Sequence, residues 1–239
     1  MNLPESTDVL ILGGGLAGLS LALQLRGRFP GLGITVLERR AHPVPVAAHK
    51  VGESTVEIGA NYFESVLGLK PLLMANQIKK LGFRFFFSEG TPAIDSVTEL
   101  GASTFLPTGS WQIDRGIFEN DLGEECRRRG IGFIDAAVVR EVALDAASGH
   151  RVRVGHAGSD AWIAARWVVD ASGRAGLLKR KLGLAEENAH NANAVWFRVS
   201  EKIDVNDWCR DESWLDRCNP RSRWLSTNHL CGEGYWVWL

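Results

Sequence analysis

Three glycines near the amino terminus have the spacing that binds a dinucleotide. Gly13, Gly15 and Gly18 fit the pattern G-x-G-x-x-G, which follows an apolar run at 8–12 and opens a segment with apolar residues at helical spacing. The first glycine permits a tight turn, the second lets the backbone approach a pyrophosphate, and the third lets helix and strand pack closely. The start of the helix would direct its amides at the phosphates. The motif therefore predicts a dinucleotide site.

Glu38 supplies the acidic residue that such a site uses. It stands twenty residues after Gly18, at the end of a second apolar run at 34–37. A carboxylate there accepts hydrogen bonds from ribose hydroxyls and repels a 2′-phosphate, so NADP is disfavoured as the ligand. The alternative is a glycine-rich turn with a glutamate on the surface, but the complete strand–helix–strand pattern favours the dinucleotide.

A second carboxylate ends a strand far downstream. Residues 161–170 are predicted as a buried strand that ends in Asp170-Ala-Ser-Gly173, a small-residue turn before a helix. Ligands collect at the carboxyl ends of strands in α/β sheets, so Asp170 is a candidate binding residue. The alternative is that Asp170 only caps the helix that follows. The residues by themselves favour neither interpretation.

Ser54 and the pair Lys79 and Lys80 each have a purely structural interpretation. Ser54 and Glu57 form a capping-box pattern, which predicts a helix over 54–67 with Ser54 as its cap. A role for Ser54 in a ligand-contacting loop is equally open. Lys79 and Lys80 would be exposed charges at the end of a helix, where the dipole favours cations.

The elements that must position these residues alternate between strands and helices. Strands are predicted at 8–12, 34–37, 81–87, 111–114, 131–135, 138–143, 151–155, 161–170 and 195–199. Helices are predicted at 16–29, at 54–67, shortly after Pro71, at 117–129, after Ala175 and at 204–217. This order indicates an α/β fold: a Rossmann-like βαβ domain with a β meander, and part of a further β-sheet.

Composition and charge exclude several classes of protein. The chain has 239 residues, of which 45% are hydrophobic and 23% are charged, so a disordered or heptad-repeat protein is excluded. A net charge of -1 offers no basic surface for nucleic acid or anionic lipid, and the apolar runs are too short to span a bilayer. No secretion leader is visible, so we predict a cytoplasmic protein without nucleic-acid or membrane partners.

The cysteines indicate neither disulfides nor a metal site. Cys126, Cys209, Cys218 and Cys231 form no C-x-x-C pair and match no zinc-binding spacing. A free cysteine usually packs as a small hydrophobic residue. We therefore expect structural thiols and no bound metal.

Motifs along the whole chain resemble those of a known flavoprotein family. The glycine motif with Glu38, then Gln112-Ile-Asp-Arg115-Gly and Val-Val-Asp170-Ala-Ser-Gly173, resemble the FAD-binding fold of the flavoprotein monooxygenases. Within that superfamily, Val51-Gly-Glu53-Ser54-Thr, Lys80-Leu-Gly-Phe-Arg-Phe85 and Gly234-Tyr-Trp236-Val-Trp238-Leu239 resemble the flavin-dependent halogenases of the tryptophan halogenase family. The sequence ends before the Ile-Pro that completes the family's W-x-W-x-I-P signature and lacks its later Gly-Asp segment. We therefore expect the N-terminal part of such a protein.

The resemblance implies FAD as the cofactor and a division into two parts. An FAD/NAD(P)-binding Rossmann-like domain would cover 1–77 and 106–183, and a substrate-side β-sheet, incomplete at its end, would cover 78–105 and 184–239. Arg115 would lie near the phosphates, the backbone of Val139 near the adenine, and Asp170 beside the cofactor. The implied FAD-binding residues are Gly13, Gly15, Ala17, Gly18, Glu38, Arg39, Gly52, Ser54, Arg115, Val139, Asp170 and Gly173.

The resemblance also implies a catalytic lysine. In such enzymes reduced FAD, supplied by a separate flavin reductase, reacts with oxygen and then halide, and hypohalous acid reaches a lysine beside a small aromatic substrate. Lys80 matches that lysine. Desolvation by Phe83 and Phe85 would lower the pKa of Lys80 and ease formation of a haloamine. Trp236 and Trp238 would lie near the tunnel to the substrate.

The predicted activity is therefore halogenation of an electron-rich aromatic ring, such as an indole, a pyrrole or a phenol. One alternative is an FAD-dependent monooxygenase or reductase on the same scaffold. Another, from a different class, is a truncated FAD-binding fragment that has no activity of its own. The missing end of the signature motivates this last alternative.

Overall fold

The chain folds into two compact units, each built from two separate segments. The computed structural model describes residues 3–46, 50–51 and 53–239. The first unit comprises Met1–Val51 and Asp114–Asn193, and the second comprises Gly52–Ile113 and Ala194–Leu239. The first unit is therefore interrupted in sequence by part of the second.

Short strands and helices alternate along both units. The strands are β1 (Ser6–Leu12), β2 (Ile34–Leu37), β3 (Glu53–Ser54), β4 (Ile78–Lys80), β5 (Phe83–Phe87), β6 (Glu99–Gly101), β7 (Ser110–Ile113), β8 (Gly132–Ile134), β9 (Val138–Ala143), β10 (His150–His156), β11 (Ser159–Asp170), β12 (Thr227–Gly232) and β13 (Tyr235–Trp238). The α-helices are α1 (Leu16–Arg28), α2 (Glu57–Asn61), α3 (Lys70–Asn76), α4 (Arg115–Arg128), α5 (Leu177–Lys181) and α6 (Glu212–Leu215). A π-helix covers Tyr62–Val66, and 3-10 turns cover Gly173–Ala175, Val205–Trp208 and Arg223–Leu225.

A six-stranded sheet with the order β8-β2-β1-β11-β10-β9 forms the centre of the first unit. Its first four strands run parallel, whereas β10 and β9 continue antiparallel as a meander. Because β1 has β2 on one side and β11 on the other, the strand order reverses between β1 and β11. Ligands of such sheets bind at the carboxyl ends of the strands at this reversal, where Leu12 and Asp170 pair in register. The predicted fold class is confirmed.

The two long helices of the first unit pack on each other. α1 buries Leu19, Ala22 and Leu23, which recur at the spacing of one helix face. α4 begins where it does because the carboxylate of Asp114 accepts hydrogen bonds from the amides of Gly116 and Ile117. α1 also contacts β1 and β2, and α4 contacts β8, so both helices pack against the sheet.

The second unit contains two smaller sheets. One has the order β13-β12-β5-β6, with β12 parallel to β5 and antiparallel to β13, and the other has the order β3-β7-β4. Phe86 and Trp214 are almost fully buried in one core cluster of this unit, together with Ile94 and Val205. Burial of these side chains on one face of β5 leaves Phe83, Phe85 and Phe87 on its other face, since side chains alternate along a strand.

The predicted helix at 54–67 is wrong at its start. The helix begins at Glu57 with Val56 as its cap, and Ser54 lies in β3, whose backbone pairs with Gln112 on β7. The capping box does not form because the Ser54 hydroxyl is bound to the ammonium of Lys80 instead. Lys80 itself is buried in β4, so the prediction of an exposed helix end is also wrong for this residue.

Two later predictions also differ from the structure. Residues 195–199 form no strand in the described part of the chain, and the side chains of Val195 and Phe197 are almost fully exposed. The strand that pairs with β5 is β12. The predicted helix at 204–217 is broken into a 3-10 turn and the short α6. Asp204 and Asp211 each accept hydrogen bonds from following amides, so each starts a separate turn.

The compact units place three segments differently from the predicted domain bounds. One is 184–193, which is predicted in the substrate-side sheet and belongs to the first unit. The sequence predicts 53–77 and 106–113 in the dinucleotide-binding domain, whereas both belong to the second unit. The reason is backbone pairing, because β7 pairs with β3 and with β4 and thereby joins these segments to the strand of Lys80.

Candidate functional site

The glycine loop lies at the carboxyl end of β1, where two of its glycines are required by the chain itself. Gly13 has φ +119°, and a Cβ there would stand 2.3 Å from the carbonyl oxygen of Ala171. A Cβ on Gly18 would stand 1.9 Å from the carbonyl oxygen of Gly13. Gly15 differs, because the nearest atoms to a Cβ there are 3.7 Å and 3.8 Å away. Packing does not demand this glycine, so its missing side chain leaves room for a ligand.

The first turn of α1 can bind an anion. Gly15 is the N-cap residue, and no side chain in the described part of the chain caps the helix. No acidic residue lies in the first turn, and Ala17 on that turn is exposed. Amides at the start of a helix need partners, and the helix dipole favours negative charge there. This geometry suits a phosphate.

Glu38 is bound to the glycine loop. Its Oε2 accepts a hydrogen bond from the amide of Gly14 at 2.8 Å, and its Oε1 accepts one from the amide of Arg40 at 2.8 Å. The carboxylate therefore fixes the loop, a role that the sequence did not indicate. Each oxygen keeps a lone pair for a further donor, such as the predicted ribose hydroxyl. Arg39, beside it, is exposed.

A buried carboxylate joins two cations beside the glycine loop. The Glu119 side chain is 2% exposed, and it pairs with Arg115 and with Lys50, whose Nζ lies 2.6 Å from Oε1. Burial opposes ionisation of Glu119, but the hydrogen bonds and charges of Lys50 and Arg115 outweigh it and hold its pKa below the usual value. The group carries a net positive charge close to Gly15, which suits a pyrophosphate.

Lys50 and Glu119 were missed from the sequence. Arg115 and Glu119 are four residues apart on a helix, a spacing that allows an ion pair, so Glu119 could have been found. Lys50 lies in a loop, where no periodicity indicates its partner.

Asp170 caps the short α5 in the structure. Its carboxylate accepts hydrogen bonds from the amides of Leu178 at 2.7 Å and Ser172 at 3.0 Å. Burial opposes ionisation, but these hydrogen bonds and that of the Ser172 hydroxyl outweigh it, so the pKa of Asp170 is lowered. The capping interpretation is therefore confirmed, and it does not exclude a ligand contact, because the loop after Asp170 meets Gly13.

Lys80 lies in the second unit and is 3% exposed. Its Nζ donates hydrogen bonds to the Ser54 hydroxyl at 3.1 Å and to the Thr55 carbonyl oxygen at 3.2 Å, and it lies 3.5 Å from the ring centroid of Phe83. Burial lowers the pKa of Lys80, and the charge of Glu57 opposes this shift. An ammonium in this setting gives up its proton more readily than an exposed one.

An aromatic face adjoins Lys80 on the sheet β13-β12-β5-β6. We use this name for Phe83, Phe85, His229, Trp236 and Trp238. The His229 ring stacks on Phe85 at a centroid distance of 4.5 Å and meets Phe83 and Trp238 edge-on at 5.6 Å and 5.9 Å. Trp236 lies 5.8 Å from Trp238. His229 had no predicted role, since no local motif surrounds it.

The structure divides the predicted site residues between the two units. The first unit holds Gly13, Gly15, Ala17, Gly18, Glu38, Arg39, Arg115, Val139, Asp170 and Gly173. Val139, on β9, packs against the core of the sheet, and Gly173 begins a 3-10 turn with φ +59°. Ser54 and Lys80 lie together in the second unit, and Gly52 lies outside the described residues.

Other features of the molecule carry no indication of chemistry. A groove of about 690 Å³ lined by Thr7, Asp8 and His150 lies at the end of the sheet opposite the glycine loop. All four cysteines are free thiols, and burial raises the pKa of Cys126 to about 12. The described residues contain no cluster of three or more potential metal ligands. None of their helices has the length and hydropathy that crossing a membrane requires.

Comparison with known proteins identifies the cofactor. Residues 6–231 match the family described as FAD binding domain. The chain is 25% identical over 269 aligned positions to the flavin-dependent halogenase chlA of Dictyostelium discoideum, and the alignment covers 100% of this chain and 43% of that protein. The chain therefore spans less than half the length of this curated relative.

Solved structures agree in fold. CmlS, a flavin-dependent halogenase, superposes with a TM-score of 0.60 and 28% identity over 74% of this chain and 31% of its own. The halogenase PltM, in complex with FAD, superposes with a TM-score of 0.69 over 97% of this chain and 47% of its own; its 19% identity supports the fold alone.

The residues of the first unit fit an FAD. The space beside Gly15, the amides of α1 and the cations at Glu119 suit its pyrophosphate. The predicted cofactor is therefore confirmed, and so is the resemblance of the motifs to flavin-dependent halogenases. The chain belongs to the FAD-binding domain family.

Proposed function

We propose that this chain is the FAD-binding and lysine-bearing part of an enzyme that halogenates an electron-rich aromatic ring. The observation that carries the proposal is the environment of Lys80, which is buried beside an aromatic face and bound by Ser54. The similarity to flavin-dependent halogenases over the whole chain supports it. A halide, a small aromatic substrate, a separate flavin reductase and a cytoplasmic location stay predictions.

The first unit would hold the cofactor. FAD bound there and reduced by a separate reductase supplies hypohalous acid from oxygen and halide. Gly15 and the amides of α1 would contact the pyrophosphate, with Lys50 and Arg115 neutralising its charge. Glu38 would keep the loop in shape through Gly14 and accept from the ribose. The contacts predicted for Ala17, Arg39, Gly52, Val139 and Gly173 stay predictions.

Lys80 would direct the halogen. The ammonium can donate a hydrogen bond to hypohalous acid and make its halogen more electrophilic. The neutral amine can instead attack the halogen, so that an N–halogen bond forms, the halogen–oxygen bond breaks and water leaves with the amine proton. Transfer of the halogen to a ring carbon then breaks the N–halogen bond, and the proton that the ring carbon loses restores the amine. Burial favours the neutral amine, and Ser54 and Thr55 fix the position of Nζ.

A comparison of two adjacent lysines tests the proposal. In the complete reading frame, supplied with reduced FAD, oxygen and halide, Lys80→Ala is expected to lower aromatic halogenation by about 100-fold, as when a reacting group loses its positioning residue. Lys79→Ala is the matched control, because Lys79 is exposed on the same strand. The product mass distinguishes a halogenated ring from the oxygenated ring of a monooxygenase. Unchanged halogenation by Lys80→Ala contradicts the role of this lysine.

A further inference from the structure

We propose that His229 selects the substrate: its Nε2 accepts a hydrogen bond from an O–H or N–H group on the aromatic ring. This inference rests on the proposed function, because it concerns the ring that the lysine would halogenate. His229 had no role predicted from the sequence. If it selects the substrate, the aromatic ring must carry a hydrogen-bond donor.

The contacts of Nδ1 fix the tautomer of His229. Nδ1 lies 3.0 Å from the carbonyl oxygen of Thr227 and 3.2 Å from the carbonyl oxygen of Arg84. A carbonyl oxygen can only accept a hydrogen bond, so Nδ1 must carry the proton. In the neutral imidazole Nε2 then has a free lone pair and acts as an acceptor.

Nε2 is an acceptor that the chain does not satisfy. His229 is only 8% exposed, yet its Nε2 forms no hydrogen bond with any residue that the structure describes. Nε2 is not among the buried polar atoms without a partner, so this nitrogen is open to solvent. A ligand that places a donor there replaces water and gains a hydrogen bond. An aromatic ring without a donor gains only the stacking contact.

The side chains around His229 indicate the shape of the ligand. Phe83, Phe85 and Trp238 meet its ring, so the neighbouring surface suits a flat aromatic molecule. The Lys80 ammonium lies over Phe83, which itself contacts His229. A ring bound beside Phe83 would therefore lie near both the Lys80 ammonium and the His229 acceptor. Accepting from a ring hydroxyl or N–H also increases the electron density of the ring, which favours attack by an electrophilic halogen.

Binding of matched ligand pairs tests this role without any halogenation. Phenol and anisole, or indole and N-methylindole, share a ring and differ in the donor. In the FAD-loaded complete protein without halide, tryptophan fluorescence titration should give about fivefold to tenfold tighter binding for phenol and indole than for their methylated partners, the worth of one hydrogen bond. Equal affinities within each pair, or no binding, overturn the proposal.

Two variants assign the preference to Nε2. His229→Phe keeps a ring but has no acceptor, so it should bind both members of a pair equally, whereas His229→Gln, whose amide oxygen can replace Nε2, should keep part of the preference. Trp236→Phe is the control and should weaken both members alike. A preference that survives in folded His229→Phe overturns the proposal. If donor-dependent binding is found but Lys80→Ala still halogenates, only the proposed function fails.

Discussion

The glycine loop of the first unit and the aromatic face of the second are built in different ways. The loop is made of backbone: four glycines within six residues, an adjacent helix start and one glutamate at the next strand end. The aromatic face is made of side chains from β5, β12 and β13, with a lysine from β4 held by a serine from β3. The glycine loop is visible as one local motif, whereas the aromatic face is spread over three strands, and its His229 lies outside every motif that the sequence shows.

The largest effect is expected from a substitution in the glycine loop. Gly18→Ala should abolish FAD binding, because its Cβ would stand 1.9 Å from the Gly13 carbonyl oxygen and displace the loop. Overpacking of this kind costs about 1–3 kcal/mol or more. Flavin absorbance of the purified variant and its urea unfolding measure both effects.

Gly27→Ala is the matched control in the same helix, since nothing lies within 4 Å of a Cβ there. It should leave FAD binding unchanged and stabilise the protein by up to about 1 kcal/mol through helix propensity. Equal behaviour of the two variants contradicts the role of close packing at Gly18.

The ion pairs of Glu119 with Lys50 and Arg115 should contribute to the stability of the fold. Glu119→Gln should lower the free energy of unfolding by about 3 kcal/mol, because it leaves Lys50 and Arg115 without their shared carboxylate. Glu124→Gln, exposed on the same helix, should change it little. Urea unfolding at pH 7 measures both values.

The effect of Glu119 also depends on pH. Its pKa is below the usual 4.5 in the folded protein, so the unfolded carboxylate takes up a proton first as the pH falls. The stabilisation is complete above pH 4.5 and is lost as the pH falls through the lowered pKa. The difference between wild type and Glu119→Gln should therefore shrink under acid conditions; a difference that grows there contradicts the ion pairs.

These two regions also show how much the sequence could predict. The βαβ unit, the meander and the glycine loop follow from local patterns, because apolar periodicity and glycine spacing act within a few residues. The helix cap, one of two interpretations left open for Ser54, is wrong, since only the pairing of β3 with β7 shows that its hydroxyl faces Lys80. The pairing of Glu119 with Lys50 and the contact of His229 with Arg84 depend in the same way on residues far along the chain.

A smaller effect on halogenation is expected from Ser54, which binds Lys80 in the second unit. Ser54→Ala removes one of the two acceptors that hold Nζ of Lys80, so halogenation should fall by about fivefold while FAD binding is unchanged. Ser65→Ala, an exposed serine of the same unit, is the control. Loss of FAD binding by Ser54→Ala would instead support the cofactor contact implied by the resemblance.

We propose that the FAD-binding unit supplies the halogenating agent and that Lys80 activates this agent and directs it to the ring. The most direct test measures two products of one reaction in wild type and Lys80→Ala: halogenation of a small diketone that captures free hypohalous acid, and halogenation of the aromatic substrate. Lys80→Ala should keep the first at the wild-type rate and lose the second by about 100-fold. Retention of aromatic halogenation, or equal loss of both products, contradicts this division of tasks.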